Sequence, residues 1–333
     1  MCVVGAGNAG RAYIAAALNK GFEVEFVERN PDRLNQVASE FDGKATGKSS
    51  ISEVSRVTSA VVATHSDSHH STLREIVDLG ARFVLVEKTL SNSVRGLEEI
   101  ELIGSRSDVV VGTHNRWSLV GLPEFLGREF EYLGPLISID SVAGCFCLSA
   151  GSIHTLALAA RMFPDLHGPT RVSARLNLES GSPRGEGLRV VTGQLQVESQ
   201  GTPVVTLMSR PGSKVGPTLV LTFESGEVVM DLDGRMTARP LARGLVDKRQ
   251  YLPWDYTAAR TAAVDTSRLF EKAIEYPVNV EATARDLAAG VRANEILLAA
   301  LASSSQGGKQ VAVDRKSDWW IMNRELDIRW PIT

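Results

Sequence analysis

The apolar positions in the first third of the chain fall in short unbroken runs. They are Cys2-Val3-Val4, Val24 to Val27, Ala60 to Thr64, Arg82 to Val86 and Val109 to Val111. Each run is too short for a helix and ends at a glycine, an acid or a polar cluster, the pattern of buried strands. Helical stretches lie between them. Arg11 to Lys20 is alanine-rich and stops at Gly21. Pro31 to Phe41 opens with Asn30-Pro31, and Pro is favoured in a first helical turn. His69 to Leu79 is closed by Gly80, and a further helix runs from about Ser93 to Gly104. The polar stretch Gly43 to Ser55 leaves room for one more short strand. Strands alternating with helices predict right-handed crossovers and a parallel sheet.

The pattern changes after Arg116. A short helix over Phe125 to Tyr132 precedes a strand over Leu136 to Val142, and a helix over Gly151 to Phe163 ends before Pro164. Alternating runs follow at Arg171 to Leu178, Leu188 to Glu198, Val204 to Met208, Thr218 to Phe223 and Glu227 to Asp231, with Ser225-Gly226 as a hairpin turn. They predict a large, mostly antiparallel sheet. Leu241 to Trp254 reads as irregular, Thr257 to Glu275 as helix, Asn279 to Ser304 as a long helix and Gln310 to Val313 as a late strand. Trp319, Trp320 and Trp330 in the tail are suited to docking it on the body or on a neighbouring subunit. The expected class is α/β: a parallel-sheet domain over residues 1–116, then an α+β domain over 117–333 that binds substrate and supports a homo-oligomer through its open sheet.

Composition narrows the function classes. A chain of 333 residues, 43% hydrophobic and 23% charged, is of ordinary globular type and long enough for two domains. A net charge of −3 gives no electrostatic case for nucleic acid or an anionic membrane. No apolar run approaches a membrane span, and with strand already at the N-terminus no signal peptide is expected. Cys2, Cys145 and Cys147 are odd in number and lack metal-ligand spacing, so a reducing, cytoplasmic setting is expected.

The chemistry begins in the turn after the first strand. Gly5-Ala6-Gly7-Asn8-Ala9-Gly10 is Gly-x-Gly-x-x-Gly between a strand and a helix, and Glu28 ends the second strand. Gly5 permits a tight turn, Gly7 a close approach of pyrophosphate, and Gly10 close packing of helix on strand. The helix start, with Asn8 and Ala9, offers N–H groups to phosphate. Glu28 is placed to accept hydrogen bonds from ribose hydroxyls and to repel a 2′-phosphate. This favours NAD, with NADP the alternative if the adjacent Arg29 turns inward. A similar fold binding S-adenosylmethionine or nothing is the structural alternative. The other strand ends should share one crevice with the glycine loop: Thr64, His65, Ser66 and His69 after one strand, Glu87-Lys88-Thr89 after the next, His114-Asn115-Arg116 after the last. His65-x3-His69 has no third partner of metal-ligand type, so no metal is expected.

Several of these stretches, in this order, resemble the Gfo/Idh/MocA oxidoreductases, the family of glucose–fructose oxidoreductase and inositol dehydrogenase. The glycine loop matches the family's dinucleotide loop. Ala63-Thr64 with Ser68-His69 resembles its loop and helix start after the fourth strand. Glu87-Lys88-Thr89 resembles its Glu-Lys-Pro signature, and Asn115-Arg116 its Asn-x-Arg-like segment. Gly151-Ser152-Ile153-His154 resembles the stretch opening its active-site helix, and Gly307 to Val313 the close of its second domain. The resemblance implies a Rossmann domain, an open-sheet domain and hydride transfer with a nicotinamide cofactor. Two departures stand out. Thr89 replaces the usual proline. Ala150 and Ala157 stand where acids often precede and follow the histidine.

Hydride transfer needs a proton moved at the substrate in the same event. Lys88, at a strand end, suits that role if burial lowers its pKa; the bland alternative is a surface lysine paired with Glu87. Glu87 itself either contacts the nicotinamide ribose or holds Lys88. His154 is the second catalytic candidate, set against substrate binding or helix capping. Asn115 and Arg116 serve cofactor or substrate, or Arg116 braces the two domains. Three functions follow. The first is an NAD(P)-dependent oxidoreductase acting on a hydroxyl or carbonyl of a sugar, nucleotide sugar or cyclitol. The second is an imine reductase of the same fold. The third is a non-catalytic dinucleotide-binding regulator.

Overall fold

The computed structural model describes residues 1–144, 147–179, 189–210, 216–241, 260–266, 268–275 and 280–331. Cys145 and most of the expected irregular stretch after Leu241 lie outside them. Six parallel strands come first: β1 (Cys2–Val4), β2 (Val24–Val27), β3 (Ala45–Lys48), β4 (Ser59–Val62), β5 (Phe83–Val86) and β6 (Val110–Thr113). Their order is β3-β2-β1-β4-β5-β6. The chain reverses its direction of winding between β1 and β4, so a crevice opens beyond their carboxyl ends.

Both faces of this sheet are covered, which is why its strands read as continuous apolar runs. Successive side chains alternate between the faces. Val3, Phe26, Val61 and Leu85 pack with α1 (Asn8–Asn19) and α2 (Pro31–Glu40). Val4, Val62, Val84 and Val86 pack with α3 (His69–Asp78) and α4 (Val94–Gly104). Helix starts follow their capping chemistry. Arg33 N–H donates to Asn30 Oδ1 at 3.0 Å with Pro31 in the first turn, and Gly96 N–H donates to Ser93 Oγ at 3.1 Å.

After α5 (Arg116–Leu119) and α6 (Leu122–Glu129), nine strands form the second sheet. They are β7 (Leu136–Gly144), β8 (Thr170–Glu179), β9 (Val190–Ser199), β10 (Thr202–Arg210), β11 (Thr218–Phe223), β12 (Gly226–Met230), β13 (Arg235–Pro240), β14 (Arg260–Ala263) and β15 (Val311–Ala312). The order is β14-β13-β12-β11-β7-β10-β9-β8-β15, antiparallel throughout except for the parallel pair β7–β10. One face is buried, with Ile139, Val205, Leu207 and Leu221 in the core. The other carries Asp140, Val142, Gln196 and Val220 and stays in partial or full contact with solvent.

Helix α9 (Val280–Ser305) joins the two sheets: it packs along β8 and α7 (Ile153–Met162) and also against β6 and α4. A charge cluster running from the buried Arg292–Glu295 pair out to the surface reinforces that joint. Arg292 donates to Glu295 at 2.7 Å, and Arg315 bridges Glu295 at 2.7 Å and Glu101 of α4 at 2.6 Å. Helix α8 (Leu269–Glu275) packs on α1, its Ala273 and Ile274 entering the core on that side of the six-stranded sheet.

Three local expectations are corrected, and the docking of the tail is resolved. The hairpin turn is Glu224-Ser225, because Phe223 pairs with Gly226. Residues 260–263, expected as helix, form edge strand β14 beside β13, itself unanticipated; pairing with a neighbour overrides local helical propensity. Leu148–Ser152 is a π-turn, so the regular helix α7 starts only at Ile153. In the tail, Trp319 and Trp320 are buried on the chain's own body around α10 (Asp318–Glu325), with Trp320 Nε1 donating to Glu98 at 3.0 Å.

Candidate active site

The three motif glycines do three different things. Gly5 has φ +94°, and a Cβ there would lie 2.6 Å from the Ala63 carbonyl oxygen, so only glycine turns the chain between β1 and β4. A Cβ on Gly10 would lie 1.8 Å from the Gly5 carbonyl oxygen, so helix and strand touch there. Gly7 faces open space, with nothing within 4 Å of a Cβ. It caps α1 without a side-chain hydrogen bond, leaving the first-turn N–H groups, with Asn8 exposed and Ala9 behind it, for an anion. Two positions closed by protein and one left open fit the pyrophosphate of a dinucleotide.

Glu28 ends β2 and is buried. Its carboxylate accepts from Ala6 N–H at 3.3 Å and Asn30 N–H at 2.9 Å, which aims it at the glycine loop. The cation beside it is not Arg29, which is exposed, but Arg33, whose Nη1 lies 3.4 Å from Glu28 Oε2. Asn30 capping α2 swings residue 33 back over the strand end, a placement that strand alternation alone does not reveal.

The loop after β4 divides. Thr64 Oγ1 accepts from Ser68 Oγ at 3.0 Å, His65 is exposed, and Ser66 is buried. His69 opens α3. It is buried, with Nδ1 and Nε2 at 3.1 and 3.0 Å from the Leu90 and Thr64 carbonyl oxygens. It braces the two loops and has no ring nitrogen left for a ligand.

At the ends of β5 and β6 the titratable groups converge. Lys88 is half-buried, and its main-chain N–H donates to Glu87 Oε2 at 3.2 Å. The Lys88–Thr89 peptide is cis, and Thr89 Oγ1 donates to the Ser149 carbonyl at 2.9 Å. Glu87 is buried between Tyr13, which donates to it at 2.7 Å, and His114, whose Nδ1 is 3.2 Å away. Burial pushes Glu87 upward, but His114, Lys88 and the Tyr13 hydroxyl together hold it below the ordinary carboxylate range. Burial lowers His114 below the ordinary histidine value and raises Tyr13 well above that of a phenol. His154, at the start of α7, accepts from Arg116 N–H at Nδ1 (3.3 Å), and its ring centroid lies 6.0 Å from that of His114.

Asn115 is buried beside them; its Nδ2 donates to Ser118 at 3.0 Å, and its Oδ1 is buried without a partner among the described residues. Arg116 reaches the nine-stranded sheet: its Nη2 donates to the Leu232 carbonyl at 2.6 Å and so braces that sheet. Tyr13 is the residue the sequence reading missed. Its signal was its place three residues after Gly10, on the helix face turned to the sheet. Among the described residues, no three His, Cys, Asp or Glu side chains group to hold a metal, and no helix is long and apolar enough to cross a membrane.

A glycine loop with one open position, an acid at the end of β2 and a lysine–glutamate pair at the end of β5 define a nicotinamide-dependent oxidoreductase fold. Residues 1–114 match the family model described as the Gfo/Idh/MocA oxidoreductase family, NAD-binding Rossmann fold. No curated protein matches the sequence. Solved structures resemble the whole chain in fold. A levoglucosan dehydrogenase in complex with NADH and levoglucosan is 14% identical over 94% of this chain and 98% of its own, with TM-score 0.67. An oxidoreductase from Agrobacterium radiobacter in complex with NAD+, L-tartaric acid and magnesium is 12% identical over 94% and 97%, with TM-score 0.68. A biliverdin reductase from Synechocystis in complex with biliverdin and NADP+ is 14% identical over 91% and 98%, with TM-score 0.68.

Proposed function

We propose that the protein transfers hydride between NAD and a hydroxyl or carbonyl carbon of a small polar substrate of the sugar, nucleotide-sugar or cyclitol class. The observation that carries this reading is the placing of Lys88, half-buried beside the Glu87 carboxylate, at the end of β5 in the crevice that Gly7 leaves open. When bound, the nicotinamide supplies the hydride chemistry. The chain's residues supply the rest. Gly7 and the start of α1 hold the pyrophosphate, Glu28 the adenosine ribose, and Asn115 Oδ1 a donor of the bound ligands. Lys88 moves the proton at the substrate oxygen, with His154 across the crevice as its partner. The bound sugar of one fold neighbour supports the substrate class.

The nucleotide-binding part ends at about residue 116, and the remainder carries the substrate wall and, on its open sheet face, the surface of a homo-oligomer. Titration of NADH and NADPH at fixed low salt, followed by a panel of polyols, sugars and imines, tests the reading. Tighter binding of NADH and turnover of a hydroxyl substrate are expected. Binding with no turnover would turn the reading toward a regulator, and turnover of imines alone toward an imine reductase. Glu28→Ala is expected to weaken NADH about tenfold and narrow the gap to NADPH, because the carboxylate both accepts from ribose and repels a 2′-phosphate.

A further inference from the structure

Tyr13, Glu87 and His114 form a buried titratable cluster to which the reading above gives no chemical task. Tyr13 Oη donates to Glu87 Oε1 at 2.7 Å, and His114 Nδ1 lies against both Tyr13 Oη and Glu87 Oε1. A phenol has one proton. Given to a carboxylate, which can only accept, it leaves the phenolic oxygen as an acceptor. Both neighbours of Nδ1 are then acceptors, so Nδ1 carries the imidazole proton and Nε2 the lone pair. His154 shows the opposite tautomer: its Nδ1 accepts from Arg116 N–H, which places its proton on Nε2. Two imidazoles with centroids 6.0 Å apart therefore offer one acceptor nitrogen and one donor. The carboxylate–histidine pair absent at Ala150 and His154 is present at Glu87 and His114.

Resting on the oxidoreductase reading, we propose that His114 is a third acid–base group of this site, fixed in its Nδ1–H tautomer by Tyr13 and Glu87 and taking up a proton at Nε2. One N–H bond forms at Nε2, and the bond that held that proton, on Lys88 or on a substrate hydroxyl, breaks. The imidazolium so formed keeps Nδ1–H on Tyr13 and faces the Glu87 carboxylate. The groups around the ring suit a neutral resting state. Lys88 and Arg116 present positive charge, Glu87 negative charge, and Tyr13 and His154 neutral polar groups. From α8, Phe270 closes a further side, its centroid 5.5 Å away. Tyr13 and Glu87 are positioning residues, because they act through His114.

Long-range proton–nitrogen NMR on uniformly labelled protein, without nucleotide, reads each imidazole tautomer directly, and His114→Gln identifies the signal. The expected pattern near neutral pH is Nδ1–H for His114 and Nε2–H for His154. Glu87→Gln removes the facing charge and is expected to lower the His114 titration midpoint by about one unit or more. A His114 protonated on Nε2, or a midpoint unmoved by Glu87→Gln, overturns the proposal. Neither readout depends on turnover, so failure of NADH to bind would sink the oxidoreductase reading separately. With the first substrate that turns over, His114→Gln is expected to lower kcat about tenfold or more and to flatten the acid limb of its pH profile, leaving the NADH dissociation constant within twofold. An unchanged profile overturns the proposal as well.

Discussion

The two sheets meet the crevice in different ways. Every strand of the parallel sheet that reaches it delivers chemistry within two residues of its carboxyl end: Gly5 after β1, Glu28 after β2, Thr64 after β4, Glu87 and Lys88 after β5, His114 after β6. Among the described residues, no strand of the nine-stranded sheet does so. What its half of the chain contributes comes from elements beside the sheet: Ser149 in the π-turn, His154 at the start of α7, the Leu232 carbonyl in the turn after β12, and Phe270 of α8. Parallel strands all point the same way, so their ends gather in one place by topology alone. An antiparallel sheet spreads its ends over two edges and serves as a wall. Substitutions should therefore separate into losses of chemistry at the first sheet's strand ends and losses of packing in the second.

The largest expected effect is at Lys88. Lys88→Ala should cost turnover about 10³-fold, within the usual range for a positioned acid or base, while leaving NADH affinity within about twofold. Steady-state rates on the first active substrate, beside a fluorescence titration of NADH, make the check. Near-normal turnover would remove Lys88 from the mechanism and leave the parallel sheet with a binding role only.

The glycine loop sharpens the comparison from inside one motif. Gly10→Ala drives a Cβ to 1.8 Å from the Gly5 carbonyl and should destabilise the fold by about 3 kcal/mol or more, seen as a lower denaturation midpoint. Gly7→Ala meets nothing within 4 Å and should leave the midpoint within about 0.5 kcal/mol, yet weaken NADH about tenfold or more. If Gly7→Ala lost stability and kept affinity, the assignment of the open position to pyrophosphate would be wrong.

That motif also shows why some of the site was legible in sequence and some was not. Gly5, Gly7, Gly10, Glu28 and Lys88 are fixed by demands a few residues long: a turn, an approach, a strand end. The alternating strands around Thr218 and Val228 were legible because half-buried antiparallel strands show a period of two. Strand β14 was not, because its four residues owe their conformation to pairing with β13 and read locally as helix. Tyr13 and His114 sit 101 positions apart and meet only when the fold brings α1 to the end of β6, with β4 and β5 lying between that strand and β1. That Arg33 lies against Glu28 was not legible, because the cap at Asn30, not the strand, decides which arginine returns there.

A smaller effect is expected from pH. His114 is buried neutral, with a folded-state value below the 6.5 of an ordinary histidine. Below that ordinary value the unfolded chain binds a proton that the folded chain does not, so stability falls as pH falls. The contribution is intact above about pH 6.5 and is lost at up to about 1.4 kcal/mol per pH unit below it, until the folded-state value is reached. Denaturant midpoints between pH 7.5 and 5 should show this slope, and His114→Gln should make it shallower. An equal slope in both proteins would mean that the imidazole is already charged in the folded state.

The smallest effect tests the wall. Val142 of β7 is 46% exposed on the open face, while Val205 of β10 is fully buried in the same sheet. Threonine matches valine in shape and adds one hydroxyl. At Val205 that hydroxyl enters the core, and Val205→Thr should cost about 1–3 kcal/mol unless it finds a partner. At Val142 it meets solvent, and Val142→Thr in the monomer should change stability by less than about 0.5 kcal/mol. The measurement is the denaturation midpoint of both variants at two protein concentrations far apart. A monomer gives the small value at both. An oligomer built on this face covers Val142 at the higher concentration, and there Val142→Thr should begin to cost what a buried substitution costs. A midpoint for Val142→Thr that tracks the parent protein at every concentration would place any subunit contact elsewhere on the surface.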